Sequence, residues 1–436
     1  MNQAFFPHHS RRGTPDSPKQ MIGASIPRSG HSFLHNLITK YFGEELFYCE
    51  FYTPPWCCKT IPCTRRGTHT LTFQKNHDRD SALRTDLHEA LYVVQYRHPV
   101  PEVLSDYELE LRDTLQRPVL KYRQSEQHYV AWLAHKAIYY RKFHEKWFRS
   151  RFPNAAYLNY DDFAADPAAA LRPIIGWAAG NVDEERLARV IEQEGSTRAG
   201  GLPTSSKVFT PRRVEESRYF KPALLGPFEA YVLDRCPNFG FQPMLEGTYQ
   251  NSVLHGLILL NDSQEPLPRG FRDRLSAAAE LAAEHPDVQI RLAQREINKG
   301  EFDSAVGRLE KLIEQHPFYA PGYRVLFTAC RKGERPVPES ILGANALLGC
   351  LANADLLTEL GAAFQSKGLV VYAVAALSMA VVLAPDNRRA NHVLAAVLSS
   401  ERRWPQARVY AQQATLLAPE NEASARLLAE ITKRLA

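Results

Sequence analysis

What the chain lacks narrows the field first. No apolar run reaches the eighteen or so residues needed to cross a bilayer. The opening MNQAFFPHHSRRGTPDSPKQ carries basic residues but no apolar core of a secretory signal. Residues 1–20 are therefore expected to be a flexible leader on a soluble, cytoplasmic chain. Cysteine is scarce, with seven residues in 436, an odd number, and four of them (Cys49, Cys57, Cys58 and Cys63) fall in one segment. A disulfide framework belongs to small secreted domains. Gaps of eight, one and five residues are also not the paired spacing of a zinc site. Reduced thiols in an apolar segment are the favoured reading over a metal or redox role. Charge of one sign is lacking too: 53 Lys plus Arg against 48 Asp plus Glu leave only +5. That excess is too small for a nucleic-acid or membrane-surface protein, though it leaves room for a local anion site. Hydrophobic residues at 44% and charged residues at 23% exclude a disordered or fibrous chain.

What is present divides into two textures. The first half alternates short apolar runs, Met21–Ile26, Leu71–Gln74, Leu91–Tyr96 and Ala156–Tyr160, with helical patterns over Ser32–Phe42, Val100–Leu115 and Ser125–Arg151. That alternation predicts an α/β domain on a parallel sheet over residues 21–246. The stripe Trp132, Tyr139, Tyr140 and Phe143 has helical spacing and reads as core. Residues 247–268 read as a linker.

From residue 269 to 436 the chain is rich in Ala, Leu, Glu and Arg and shows no obvious strand. Pro385 in LAPDN and Pro419 in LAPEN are 34 residues apart, and Pro317 lies two such steps before Pro385. The interior keeps the same phase. One unit reads Leu357, Leu360, Gly361, Phe364, Ala373, Ala380 and Pro385, and the next Leu394, Ala395, Leu398, Ala407, Ala414 and Pro419. An earlier unit reads Leu292, Ala293, Ala305, Leu309 and Pro317. The unit between, about 320–353, is degenerate, with Leu351 where the proline would fall, and Ser424–Ala436 reads as a terminal capping helix. Small residues let paired helices approach, and proline ends the second helix. This pattern resembles the tetratricopeptide repeat (TPR), whose period is 34. The resemblance implies an all-α solenoid and a protein partner, or self-association, through it.

Three pieces of the first half bear on chemistry. In IGASIPRSGHSFLHNLI a strand runs through a Gly turn into a helix, a geometry that aims backbone N–H groups at an anion. The ATP-binding form of this loop needs Lys after its last Gly, and here His31 follows Gly30. In LTFQKNHDRD a strand end carries Lys75 and His77, a cation and an imidazole at the carboxyl edge of a sheet, where ligands sit in open α/β folds. In YVVQYRHPVPEVLSDYE, Arg97 leaves a strand and Ser105 follows eight residues later on a helix. That pair of donors suits a phosphate monoester.

Taken in order, Pro27-Arg28-Ser29-Gly30-His31-Ser32-Phe33-Leu34, Lys75-Asn76-His77 and Arg97-His98-Pro99 with Ser105 resemble the motifs of sulfotransferases that use 3′-phosphoadenosine 5′-phosphosulfate (PAPS). Two later stretches extend the likeness over about residues 20–245. AAYLNYDDFAADP resembles a segment of that family in which Tyr160 would pack near the adenine. PRRVEESRY stands where that family closes a loop over the 3′-phosphate, with Arg212 and Arg213 as its basic pair, Val214 and Ser217 in place of glycines and Tyr219 in place of Trp. The resemblance implies a P-loop-like domain that takes PAPS as co-substrate. Arg28, Ser29, Gly30, His31, Ser32 and Phe33 would hold the phosphosulfate. Arg97, Ser105, Arg212 and Arg213 would hold the 3′-phosphate. His77 would be the base, with an unperturbed pKa of about 6.5 suited to the task, and Arg28 and Lys75 would stabilise charge on the sulfuryl group. No metal is required of this arrangement, since cationic side chains take that electrostatic role. The acceptor would carry a hydroxyl or amine on a glycan, metabolite or protein, and no nucleic-acid partner is expected. Two rivals stand beside this reading. A nucleotide kinase would need the missing Lys and a magnesium carboxylate. A non-catalytic TPR scaffold would carry a degenerate nucleotide fold.

Overall fold

The computed structural model describes residues 19–50, 59–61, 63–112, 122, 124–150, 152–199, 214–247 and 251–436. The described chain falls into two compact units. One is built from residues up to 110 and from 133 to 251, and the other from 111–132 and 252–436.

The first unit is organised by five short strands: β1 (Lys19–Ser25), β2 (Leu46–Glu50), β3 (Leu71–Asn76), β4 (Leu91–Tyr96) and β5 (Ala155–Asn159). All neighbouring pairs are parallel, in the order β2-β3-β1-β4-β5. Parallel sheets are covered on both faces, so their central strands are apolar almost throughout. Here Met21, Ile22, Val93 and Val94 are fully buried. One face packs under α1 (His31–Phe42) through Leu34, Leu37 and Ile38, which join Met21, Phe73 and Val93 in one core. Elsewhere in the unit, α3 (Glu126–Trp147) sets Trp147 5.4 Å from the ring of Tyr92 on β4. Between the sheet and α3 in sequence, α2 (Pro99–Arg112) leaves the end of β4, its first turn opened by Pro99.

Strand β2 was not foreseen. Its sequence LFYCE lies in the segment whose cysteines drew attention, and five residues are too short for alternation to register. Its Cys49 is buried, as is Cys63 after it. Cys57 and Cys58 lie outside the described residues.

The repeat unit carries its period in the helices themselves. Helices Pro286–Lys299, Ala320–Lys332, Ala354–Ser366, Arg388–Ser400 and Glu422–Leu435 begin at steps of 34 residues. Their partners Phe302–Gln315, Val370–Leu383 and Trp404–Leu417 keep the same step, with one position skipped. Asn353, Asn387 and Asn421 recur at that step as caps, each side chain accepting from an N–H three residues on. Such a cap stabilises a helix by about 1 kcal/mol. Within a pair the helices meet closely. A Cβ on Gly361 would lie 2.5 Å from Leu377 Cγ, so only glycine fits there. One core runs through the stack, including Leu309, Leu357, Leu360, Phe364, Leu377 and Leu394.

The skipped position is the degenerate unit. Pro336 and Pro338 hold the chain extended where the partner helix would start. Only Ala344–Cys350 turns helical after a 3-10 turn at Glu339–Ile341. Two boundaries differ from expectation. Residues 247–268, read as a linker, contain helix Ser252–Asn261, with Leu254, Leu257, Ile258 and Leu259 buried. Residues 111–132 belong with the repeats: Tyr122 packs 4.6 Å from Tyr319, and Gln127 O accepts from His285 at 3.0 Å. Both segments escaped notice because neither carries the 34-residue phase.

Candidate functional site

The strand order reverses around β1, whose neighbours are β3 and β4, and such a switch point leaves a crevice beyond the carboxyl ends of the strands. The residues that follow β1, Ile26 to Gly30, fill that edge as a tight turn. Ile26 N donates to Gln95 O at 3.0 Å and Ser29 N to Ile26 O at 3.3 Å. Arg28 sits at φ +61°, an uncommon conformation for a residue with a side chain. Gly30 sits at φ +83°, and a Cβ there would lie 2.4 Å from the Tyr160 ring. Glycine is thus required twice over, by conformation and by space.

Gly30 also begins α1, and no side chain caps that helix end. No acidic residue stands in its first turn either. The start of α1 therefore carries an uncompensated positive end of the helix dipole, which suits an anion.

The basic residues gather at this turn. Arg28 Nε donates to Ser105 Oγ on α2 at 3.0 Å. Arg97, at the end of β4, places its guanidinium 4.4 Å from the Tyr160 ring centre and reaches Arg28 O at 3.5 Å. Two buried polar atoms here have no protein partner, Ser29 Oγ and Arg97 Nε. Leaving a buried donor unmade costs about 1–3 kcal/mol, so paired orphans beside an open helix end fit a ligand rich in acceptor oxygens. Arg28, Ser29, Gly30, Arg97, Ser105 and Tyr160 are brought together as the sequence motifs implied. Ser32 is exposed in the first turn of α1.

His31 and Phe33 are not part of that set by their side chains. The His31 ring is buried, with Nδ1 3.2 Å from Gln95 Oε1 and Nε2 3.1 Å from Tyr48 OH. Burial and the neighbouring Lys75 cation hold its pKa well below the ordinary value. It is a neutral core histidine whose ring nitrogens are both occupied, and only its backbone faces the helix end. Phe33 packs 4.7 Å from Phe163 in the core, because α1 turns that position inward. Gln95 secures the turn from below, donating to Ser29 O at 3.3 Å.

His77 follows β3. Its Nδ1 lies 2.9 Å from Ser25 O and 3.0 Å from Ser25 Oγ. A carbonyl only accepts, so Nδ1 carries the hydrogen and the lone pair is on Nε2, the tautomer a general base needs. Tyr139 OH donates to the His77 carbonyl at 2.6 Å and fixes the backbone behind the ring. Burial, with the Lys75 charge second, lowers the His77 pKa to about 4. This departs from the unperturbed value expected of it and keeps the ring neutral at pH 7. Lys75 pairs with Glu50 at 3.5 Å, its register partner on β2. That ion pair was invisible while β2 went unrecognised.

Tyr140 is buried, as the aromatic stripe predicted, and Tyr139 is half-buried, and both hydroxyls bond to backbone at this edge. Tyr140 OH donates to Arg97 O at 3.3 Å and to Glu102 Oε2 at 3.2 Å. Glu102 is wholly buried, with Lys136 Nζ 2.8 Å away, and burial pushes its carboxyl up to about 7. Helical periodicity reports only that such a residue faces inward, so no signal separated these hydroxyls from plain core.

Arg212 and Arg213 lie outside the described residues. The residues after them lie along α2 beyond Ser105, with Ser217 Oγ donating to Glu108 at 2.6 Å and Tyr219 edge-on to Tyr107 at 4.9 Å. Among the described residues no group of three or more His, Cys, Asp and Glu side chains is placed to hold a metal, and no helix is long and apolar enough to cross a membrane.

No protein-family model matches the chain, and no curated protein matches it. Solved structures do show likeness. One is YrrB, described as a TPR protein with an unusual peptide-binding site, at 13% identity and TM-score 0.30 over 35% of this chain and 79% of that one. Another is TTC0263, a thermophilic TPR protein of Thermus thermophilus, at 21% identity and TM-score 0.26 over 37% of this chain and 87% of that one. The Cut9–Hcn1 hetero-tetramer of the APC/C covers 76% of this chain and 54% of its own, at 12% identity and TM-score 0.31. At such scores the assignment of residues 286–435 as a TPR-like helical repeat rests on its own 34-residue helix spacing.

Proposed function

We propose that the first unit transfers a sulfuryl group from PAPS to a hydroxyl-bearing acceptor. One observation carries the reading: two orphaned buried donors, Ser29 Oγ and Arg97 Nε, stand at an uncapped helix end beside Arg28 and Ser105. A donor with phosphate groups at both ends supplies the acceptors these atoms lack. The turn Arg28–Gly30 and the start of α1 hold the phosphosulfate. Arg97 and Ser105 hold the 3′-phosphate, and Tyr160, already stacked under Arg97, borders the nucleotide.

In the transfer, the acceptor oxygen bonds to sulfur as the bond from sulfur to the bridging phosphate oxygen breaks. The acceptor proton passes to His77 Nε2, and 3′-phosphoadenosine 5′-phosphate leaves with the bridging oxygen. Like phosphoryl transfer, this asks the protein mainly for positioning and charge stabilisation. A histidine with a pKa of about 4 is neutral at pH 7 and able to accept. That value makes the ring a weak base in the free protein, and the anionic groups the donor brings beside Lys75 offset that cation and raise its proton affinity in the complex.

A second reading has its own support. The repeat unit is built on solenoid lines, and solenoids present extended surfaces to partners. In that reading the chain is an interaction scaffold, with a protein partner on its repeats and a nucleotide fold that has lost catalysis. Titration of the full chain with 3′-phosphoadenosine 5′-phosphate tests between the two. Binding that weakens in Arg97→Ala supports transfer, and absence of any binding leaves the scaffold.

A further inference from the structure

A cavity in the repeat unit carries an inference beyond the reading above. A cavity of about 490 Å³ is lined by Arg274, Arg291, Arg295 and Lys299, with the amides of Gln294 and Asn298 between them. That volume falls in the range of small-molecule sites. No carboxylate is among its lining residues.

The cations are placed by helix geometry. Arg291, Arg295 and Lys299 stand four residues apart on helix Pro286–Lys299, so they share one face at steps of about 6 Å. Like charges at that spacing repel and weaken a helix unless something anionic lies across them. The neighbouring acid does little to relieve them. Asp273 lies 3.8 Å from Arg295 Nη1, while its carboxylate is engaged as the cap of helix Arg274–Leu281, accepting from Ser276 N and Oγ at 2.8 Å each.

Arg274 supplies the independent observation. Its Nη2 donates to Ser263 O at 2.6 Å, which fixes the guanidinium. Its Nη1 is buried and has no protein partner. A fixed guanidinium with an unmade bond, in a cavity with three further cations, is a recognition group for a tetrahedral oxyanion.

We propose that this cavity binds a compact polyanion bearing two or more phosphate or sulfate groups. Guanidinium forks meet the tetrahedral groups, and Gln294 and Asn298 bond the ester or hydroxyl oxygens between them.

The test uses the full chain carrying Arg28→Gln and Arg97→Gln, so that binding at the first unit does not contribute. Calorimetric titration with inorganic pyrophosphate is expected to show one site. Adding Arg291→Gln and Arg295→Gln should weaken it at least tenfold, with the circular dichroism spectrum unchanged and the melting midpoint of the ligand-free protein not lowered. Arg291→Lys with Arg295→Lys keeps the charge but removes the forks, and should give an intermediate loss. A parallel titration with a disulfated disaccharide assigns the source: the tighter of the two probes identifies phosphate or sulfate as the natural group. No binding of either probe, or equal affinity before and after the glutamine substitutions, overturns the proposal. Binding of hexaglutamate with neither small probe overturns it in favour of an acidic peptide.

Discussion

In the repeat unit a capping position recurs 34 residues along the chain, as with Asn353, Asn387 and Asn421. In the sheet unit the residues at the carboxyl edge occur once, and two polar atoms at one turn remain without protein partners. The first arrangement spreads stability over many equivalent contacts. The second concentrates conformational cost at a point: Arg28 and Gly30 both at positive φ, Ser29 Oγ and Arg97 Nε unmade, and α1 uncapped. Costs of this kind collect at binding sites, where a ligand offsets them. The repeat unit has unmade buried polar atoms too, Arg274 Nη1 at the cavity described above and Asn391 Oδ1, so the same mark points to chemistry in either unit.

The sharpest way to break that contrast is to remove His77, the base of the proposed transfer. His77→Ala is expected to lower the transfer rate by about 10²–10⁴-fold, the usual range for a general base. Binding of 3′-phosphoadenosine 5′-phosphate should stay within a few-fold of the parent. Steady-state rates and a nucleotide titration on the same preparation check both halves, and near-normal turnover would remove His77 from the mechanism.

Leu360→Ala acts on the other side of the comparison. Leu360 is fully buried in the repeat core, so its truncation should cost about 2–5 kcal/mol of stability. Nucleotide affinity of the folded protein should not change. Chemical denaturation followed by nucleotide titration separates the two effects. A fall in affinity in the folded variant would contradict independence of the site from the repeats.

The same contrast explains what could be read from sequence. The repeat was legible because proline, alanine and leucine positions reinforce one another over several periods, and even its degenerate unit stood out by lacking a proline at Leu351. The turn Arg28–Gly30, Arg97 and Ser105 were legible because they combine unusual residue types at fixed spacing, and the structure brings them together. His31 was misread for the same reason. A polar residue next to a glycine turn looks like a ligand contact, and only the three-dimensional partners, Gln95 and Tyr48, reveal a core role. Tyr48 itself lies on β2, too short to leave a periodic signal. Tyr139 and Tyr140 show the reverse failure, since an apolar stripe records burial and conceals a hydroxyl bonded behind His77 or Arg97.

A smaller effect is expected from Arg97→Ala. Charge-assisted bonds contribute about 1.5–3 kcal/mol each, so affinity for 3′-phosphoadenosine 5′-phosphate should fall about tenfold to a hundredfold. Affinity for adenosine 5′-phosphate should change little, which erases the preference for the 3′-phosphate. Equal losses for both nucleotides would place Arg97 under the sugar or base instead.

Acidification gives the gentlest probe. His31 and His77 are both held below the ordinary histidine value by burial and Lys75, His77 to about 4. The unfolded chain therefore binds more protons than the native unit as pH falls below about 6.5. By linkage their contribution to stability is fully present above that pH and is lost progressively towards about 4, at no more than about 1.4 kcal/mol per pH unit for each group. The repeat unit has His316 and His392 lowered as well, but both lie nearer the surface. Hydrogen exchange corrected for its intrinsic pH dependence, compared at pH 7 and pH 5, should show protection falling more steeply in Lys19–Phe42 than in Ala354–Leu383. The ratio kcat/KM of the proposed transfer, which reports the free protein, should stay flat over the same interval, because His77 there remains neutral until pH approaches 4. A ratio that drops between pH 7 and pH 6 would mean that His77 titrates near its ordinary value, and that Lys75 and burial do not depress it in the free protein.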